Sequence, residues 1–361
     1  YYLNGLYTGG ESFLTEDNIW RWMLGIEFIP AILYFLLLFF VPRSPRWLFS
    51  KGRNQEGTAV LERLYGSDVA ATESAVIVQS IHEEQTSEKS TLFELFKPAF
   101  RFILLVGLTI GILQQVTGIN AIYFYATSIF KQTGIGTDAA FSSGVLLSAT
   151  SVIFTLVAIY YIDRMGRRPL LLIGIGGIAA SLLLCAYSFS QATYNLSSED
   201  VASLDGIEAS AVSELIGKSF DGDVAFKQEM KAALGNQVYL RNEGAILEAA
   251  VEMNSTLVLI GILGFVACFA FSLGPVMWVM LSEMYPIAIR GVAIGLIGFI
   301  NSFSSWGVQQ LFPWELSNFG NSLTFLIFGL IAFFGFFILY KVLPETKGKS
   351  LEELEKELVR G

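Results

Sequence analysis

Six stretches of this sequence contain no Asp, Glu, Lys, Arg or His, and each is at least 24 residues long: 102–130, 139–162, 169–198, 253–282, 291–314 and 316–340. All are rich in Leu, Ile, Phe, Val, Gly and Ala. A helix that crosses a bilayer needs about 20 such residues. A seventh stretch, 20–42, is equally apolar apart from Arg21 and Glu27. In lipid the backbone must satisfy its own hydrogen bonds, so these stretches read as helices and not as barrel strands. Charge agrees, at 15% of the 361 residues against about 25% in soluble domains. One soluble core helix of this kind is conceivable; six are not. The expected fold class is an all-α integral membrane protein with seven spans. An ordinary soluble globular protein, a disordered tail, a collagen and a disulfide scaffold are excluded.

Little in the sequence suggests bond-making chemistry. Cys185 and Cys268 each fall in a span and read as small apolar filler, with no CxxC or metal spacing. His82 is the only histidine and lies in a polar stretch, so zinc or triad chemistry built on histidine is excluded. No catalytic residue, metal or cofactor is expected. The absence of a phosphate loop argues against ATP-driven transport. The chain opens at Tyr1, with no signal sequence ahead of the apolar segments, and reads as a piece of a longer protein.

The polar connections set an orientation. Loops 43–101, 163–168, 283–290 and 341–361 share one side and hold 17 of the 23 Lys and Arg residues. The positive-inside rule assigns that side to the cytoplasm, with the C-terminus. Within it, EGTAVLERLYG and STLFELFKPAF read as short amphipathic helices. The opposite side carries 199–252, with 11 acidic and 4 basic residues. DVAFKQEMKAALG in that segment is expected to be helical and to end at Gly235. The acidic total of the chain therefore comes mostly from one segment and implies no basic partner; no nucleic-acid partner is expected. The segment itself reads as a tolerated insertion, with an extracellular cap as the alternative. Asn195-Leu-Ser and Asn254-Ser-Thr match glycosylation sequons by pattern alone.

Polar groups inside spans are costly and carry the functional signal. Residues 114–125 read Gln114-Gln115-Val-Thr-Gly-Ile-Asn120-Ala-Ile-Tyr-Phe-Tyr125. Gln and Asn each offer a carbonyl acceptor and an amide donor. That inventory suits polyol hydroxyls, which donate and accept, and does not suit an ion. Gly118 permits a helix break, where transporter sites often sit. Amide contacts between helices are the alternative. Further along, Pro275 forces a kink, and Trp278 offers a flat face with an N–H donor on which a sugar ring can stack. Asn301 is another mid-span amide, followed by Ser302, Ser304 and Ser305. Glu27 is the only carboxylate well inside a span, about 10 Å beyond Trp20 at 1.5 Å per residue. Charges also gather at one set of helix ends: Arg46, Asp163, Arg167, Glu283, Arg290 and Glu345. Together they form a candidate ion-pair latch whose breaking opens the inner side.

These motifs resemble the sugar porter family of the major facilitator superfamily. The matching blocks, in the family's order, are WRWMLGIEFIPA (20–31), PRSPRWL (42–48), QQVTGINAIYFY (114–125), DRMGRRPL (163–170), GPVMWVMLSEMYP (274–286) with IRG (289–291), and PETKGKSLEEL (344–354). The resemblance covers nearly all of residues 20–354 except the segment 199–252. It implies the sixth to twelfth of twelve spans. Residues 1–47 would be the tail of the fifth helix, an outer loop and the sixth helix, and 48–100 a cytoplasmic helical linker. Residues 101–345 would be the C-terminal six-helix bundle, and 346–361 a cytoplasmic tail. The missing N-terminal bundle of the same protein would be a partner.

By position, Gln114, Gln115 and Asn120 resemble the family's hydroxyl-binding amides, Trp278 its stacking tryptophan and Asn301 its eleventh-span polar contact. Phe269 and Tyr125 match aromatic lining positions. Asp163, Arg167, Glu283 and Arg290, with Arg46 and Glu345, resemble the inner ion-pair network. An acid at Glu27 is similar to proton-coupled members. The departures are Phe124 in place of a tyrosine, Ser151 in place of an asparagine, and Arg43 where an acid is usual. The function implied is transport of a neutral monosaccharide, hexose or pentose, by alternating access across a cell membrane, with proton symport. A facilitative uniporter and a non-transporting sugar receptor are the alternatives.

Overall fold

The computed structural model describes residues 18–86, 92–134, 137–204, 207–349 and 354. The chain divides into two compact units, one ending at Ser90 and the other beginning at Thr91.

The first unit is helical. Helices α1 (Ile19–Gly25) and α2 (Phe28–Leu38) occupy the seventh apolar stretch. The expectation of one continuous span there is corrected: the helix is interrupted at Ile26–Glu27. Pro30 has no N–H to give to the Ile26 carbonyl, which accepts from Ile29 at 3.1 Å instead. Helices α3 (Pro45–Ser50), α4 (Asn54–Tyr65) and α5 (Ser67–Thr86) follow. They close on Phe49, Leu61 and Ala70, with Ile77 and Ile81 packed alongside.

In the second unit, the stretch expected to form an amphipathic helix before the bundle is two 3-10 turns over its described part, Leu92–Phe96 and Pro98–Phe100. Pro98 is the cause. It pushes the preceding residue out of the helical region, and Lys97 is extended at ψ 146°.

The bundle is built from α6 (Arg101–Val116), α7 (Ile119–Lys131), α8 (Thr137–Met165), α9 (Arg167–Ser190), α13 (Ser255–Phe271), α14 (Leu273–Met284), α15 (Ile287–Asn318) and α16 (Gly320–Val342). With α6–α7 and α13–α14 each counted as one span, six helices among the described residues are long and apolar enough to cross a membrane. Helix α9 packs chiefly against α13 and α16. Its contact with α13 is a groove of small residues. Gly177 faces Cys268, and Gly261 faces Cys185. Close backbone approach of this kind holds helices together in lipid, where burial against apolar tails provides no drive. The two cysteines are thus packing partners of glycines.

Two spans are broken. Gly118, at φ +88°, separates α6 from α7, and a Cβ there would lie 3.4 Å from the Phe328 ring. Ser272 separates α13 from α14. The expected kink at Pro275 is therefore a break three residues earlier. The missing proline N–H leaves the preceding turn without its hydrogen bond, and the helix restarts at Leu273.

Between α9 and α13 the chain forms a small polar domain. It contains β1 (Thr193–Asn195), α10 (Ser198–Ser203), β2 (Ser219–Phe220), α11 (Asp223–Leu234), α12 (Asn236–Ala250) and β3 (Val251–Glu252). The strands lie in the order β2-β1-β3, antiparallel, with Tyr194 opposite Phe220 on one side and Val251 on the other. Tyr194 stacks on Phe226 at 5.3 Å, over a core that includes Met230, Tyr239 and Leu247. Burial, reinforced by the Asp223 charge, pushes the Tyr194 hydroxyl well above its usual range. As expected, α11 is followed by Gly235, which takes φ +77°.

One buried network fixes this domain to the bundle. Lys227 pairs with Asp223 at 3.0 Å and donates to Gln132 Oε1, beyond the end of α7, at 2.8 Å. Asn321, at the start of α16, donates to Gln132 Oε1 at 2.6 Å and to Asp223 Oδ2 at 3.0 Å. The segment is a packed domain, held to the bundle by this clamp.

Candidate functional site

The broken span α6–α7 determines where the amides meet. Gln114 and Gln115 end α6, and Asn120 begins α7 after the Gly118 turn. Asn301 comes from mid-α15. Gln115 Nε2 donates to Asn301 Oδ1 at 3.1 Å and to Gln114 Oε1 at 3.2 Å. Asn301 Nδ2 donates to Gln114 Oε1 at 2.7 Å and to the Gly111 carbonyl at 2.8 Å. Asn120 Nδ2 donates to Gln115 Oε1 at 2.9 Å and to Ser305 Oγ at 2.8 Å. Gln114 Nε2 reaches the Leu273 carbonyl at 2.8 Å, which ties the cluster to the break before α14.

Gln115, Asn120 and Asn301 open onto a cavity of about 280 Å³, whose other walls are Ser302, Ser305, Trp306, Gln309 and Gln310. Every lining side chain is neutral, and all but Trp306 can both donate and accept. The amide donors are held by one another, so the cavity is pre-arranged. A ring hydroxyl entering it exchanges one neutral hydrogen bond for another, without desolvating a charge. Trp306, Gln309 and Gln310 went unnoticed in the sequence. The signal was present: Asn301, Ser305 and Gln309 recur every four residues and so share one face of α15.

The aromatic candidates lie elsewhere. Trp278 is 43% exposed, and its ring points toward Gly298, one turn before Asn301. Phe269 packs against Phe265 and sits over Gly274. Tyr125 lies against Phe312 at 5.3 Å and lines a second cavity, of about 420 Å³, between α7 and α12. None of the three lines the amide cavity among the described residues. Ser151 and Phe124 lie outside it as well.

At one end of the bundle, the charged candidates gather around Arg167. Its guanidinium donates to Glu283 Oε1 at 2.7 and 3.1 Å and to Asp163 Oδ1 at 3.0 Å. Glu283 also accepts from Thr346 Oγ1 at 2.6 Å. Glu345 takes a different role. Its carboxylate accepts the backbone N–H groups of Arg167 and Arg168 at 3.1 and 3.2 Å, and those of Thr346 and Lys347 at 2.9 Å each. It caps the N-terminus of α9, where the helix dipole favours an anion. Arg290 Nε donates to the Tyr285 carbonyl at 3.0 Å, at the turn between α14 and α15. Arg46 is the second residue of α3, and Glu27 is exposed at the junction of α1 and α2; both belong to the first compact unit.

Comparison with known proteins agrees with this architecture. Residues 4–207 and 233–358 match the family model described as sugar (and other) transporter. The unmatched stretch, 208–232, lies within the polar domain and is shorter than the segment singled out from the sequence. The arabinose-proton symporter of Bacillus subtilis is 33% identical over 337 residues, 93% of this chain and 59% of that protein. The D-xylose-proton symporter of Escherichia coli K12 is 29% identical over 355 residues, 96% of this chain and 59% of that protein. Among solved structures, a proton:xylose symporter of the major facilitator superfamily, bound to 6-bromo-6-deoxy-D-glucose, matches with a TM-score of 0.67 at 28% identity. That match covers 99% of this chain and 62% of the other. The chain thus spans about three fifths of the length of these relatives.

Proposed function

The chain belongs to the sugar porter family of the major facilitator superfamily, and from that premise we propose that it carries a neutral monosaccharide across a cell membrane by alternating access, coupled to protons. The observation that carries the reading is the neutral amide-and-hydroxyl cavity between α6, α7 and α15. A charged substrate would leave such a wall with nothing to neutralise it; a pentose or hexose presents donors and acceptors that match it.

In this reading the six-helix bundle is one of two that rock about the bound sugar, the other being the N-terminal bundle expected from the sequence. The Arg167–Glu283–Asp163 cluster is the cytoplasmic latch, which puts the C-terminus in the cytoplasm and the polar domain outside. Proton coupling draws its support from the arabinose-proton and xylose-proton symporters and from Glu27. An ionisable side chain within a span marks a candidate ion or proton pathway, and Glu27 is the residue proposed for that role here.

The test is uptake of labelled monosaccharides by vesicles holding the full-length parent protein, with and without a protonophore. Symport gives accumulation above equilibrium that collapses with the protonophore; equilibration that ignores it makes the protein a facilitator. Binding without uptake of any sugar makes it a receptor. Replacing Glu27→Gln is expected to abolish accumulation and sugar-driven alkalinisation, while leaving sugar exchange at equilibrium.

A further inference from the structure

The second cavity has a composition unlike the first. Its α7 wall carries Phe124, Tyr125, Ser128 and Lys131, and its α12 wall carries Arg241 and Glu243. Asn120, Phe124, Ser128 and Lys131 fall at intervals of four, four and three, which places them along one face of α7. Asn120 opens onto the amide cavity, and the other three line the second one. Ser128 lies about 12 Å beyond Asn120 at 1.5 Å per residue. The two cavities are therefore successive stations on a single helix face.

The second station is held firmly. Gln132, one residue past α7, is bound by Lys227 of α11 and Asn321 of α16, so the end of α7 that lines this cavity is fixed by the buried clamp. Helices α7 and α12 lie side by side here: a Cβ built at Gly244 would sit in ordinary contact with the aliphatic stem of Lys131, at 3.8 Å. Glu243 accepts from Tyr239 Oη at 3.3 Å, which steadies one of its oxygens. The volume, about 420 Å³, falls within the range of small-molecule sites.

We infer that this cavity is a vestibular subsite where the polar domain receives a neutral, polyhydroxylated ring before it reaches the amide cavity. The inference rests on the sugar-transport reading and adds a second binding site to it. A carboxylate accepts both hydrogens of a vicinal diol, and the flanking Lys131 and Arg241 donate to ring and hydroxyl oxygens. Hydrogen bonds to charged groups are about twice as strong as neutral ones. They hold a ligand in a half-open site where neutral amides would lose it to water. The Phe124 ring, 72% exposed, offers an apolar face for the C–H side of the same ring.

Lys131 itself supplies a local readout. The parent protein in detergent is treated with an amine-acetylating reagent, with and without saturating D-xylose, arabinose or myo-inositol, and Lys131 modification is followed by mass spectrometry. A sugar that is transported is expected to slow acetylation at least threefold. That protection persists in Gln115→Ala, where the amide cavity is crippled, and disappears in Arg241→Ala/Glu243→Gln. The latter changes two side chains at the cavity rim, so it is expected to fold. Transport of a sugar without protection of Lys131 overturns the subsite and leaves the transporter reading standing. Protection that vanishes in Gln115→Ala but survives in the double variant also overturns it, because the signal then comes from the amide cavity. No transport and no protection with any sugar removes both.

Discussion

Gln115 is the residue through which the amide cavity is organised. It joins Gln114 and Asn301 through its donors and Asn120 through its acceptor. Replacing Gln115→Leu leaves the Asn301 carbonyl and one Asn120 N–H without these partners, at a cost of about 1–3 kcal/mol. The expected result is a lower melting temperature in detergent and at least a tenfold rise in sugar Kd, read by equilibrium binding. The amides of α6 and α7 were legible in the sequence because a charge-free span makes every polar residue conspicuous. Gln309 and Gln310 were not seen because they lie eight and nine residues past Asn301, in a stretch already crowded with serines. Trp278 lies outside the amide cavity, whose lining tryptophan is Trp306, because a tryptophan's position along a span does not say which cavity its ring reaches. Glu345 illustrates the same limit for charges: its sequence neighbours suggest an ion pair, whereas four backbone N–H groups converge on its carboxylate.

At the scale of elements, the breaks position the chemistry. Gly118 turns the chain so that Gln115 and Asn120 point into one cavity, and its φ of +88° is open to glycine and strained for other residues. Gly118→Ala is expected to cost about 1–2 kcal/mol and to weaken sugar binding more than it weakens folding. Comparing the shift in melting temperature with the shift in Kd checks this. Gly118 was readable as a break because glycine in mid-span has few other uses. The break at Ser272 was not, since a proline's missing N–H disrupts the turn before it and sequence does not say at which residue the chain reopens. The interruption at Ile26–Glu27 escaped for the same reason, with Pro30 four residues past Ile26. The clamp holds the polar domain to the bundle. Lys227→Met strands the buried Asp223 carboxylate, a change worth about 3–5 kcal/mol. Amide exchange across α11 and α12 is expected to accelerate while the bundle helices stay protected. Adding Asp223→Leu restores part of the loss, because a buried pair removed whole costs less than one broken.

Across the whole molecule, the seven apolar stretches, the polar linker and the acidic segment were all visible in composition. What composition hid was that the acidic segment folds. Its core residues are scattered among charges over three strands and three helices, so no single window shows a clean period. Removing residues 196–249 and joining the ends with a short turn is expected to leave the six-helix bundle folded, with an unchanged helical signal in circular dichroism, and to raise the KM for sugar by losing the α12 wall. The surgery is feasible because the domain enters and leaves through paired strands: Thr193 lies opposite Glu252, and Tyr194 opposite Val251. Chain ends in that arrangement sit about 5 Å apart, and they already span the gap between α9 and α13. The membrane portion therefore carries a ready splice point. Any guest domain whose own termini are strand neighbours can be seated there in frame, giving a small membrane protein a rigid soluble marker for particle alignment in electron microscopy.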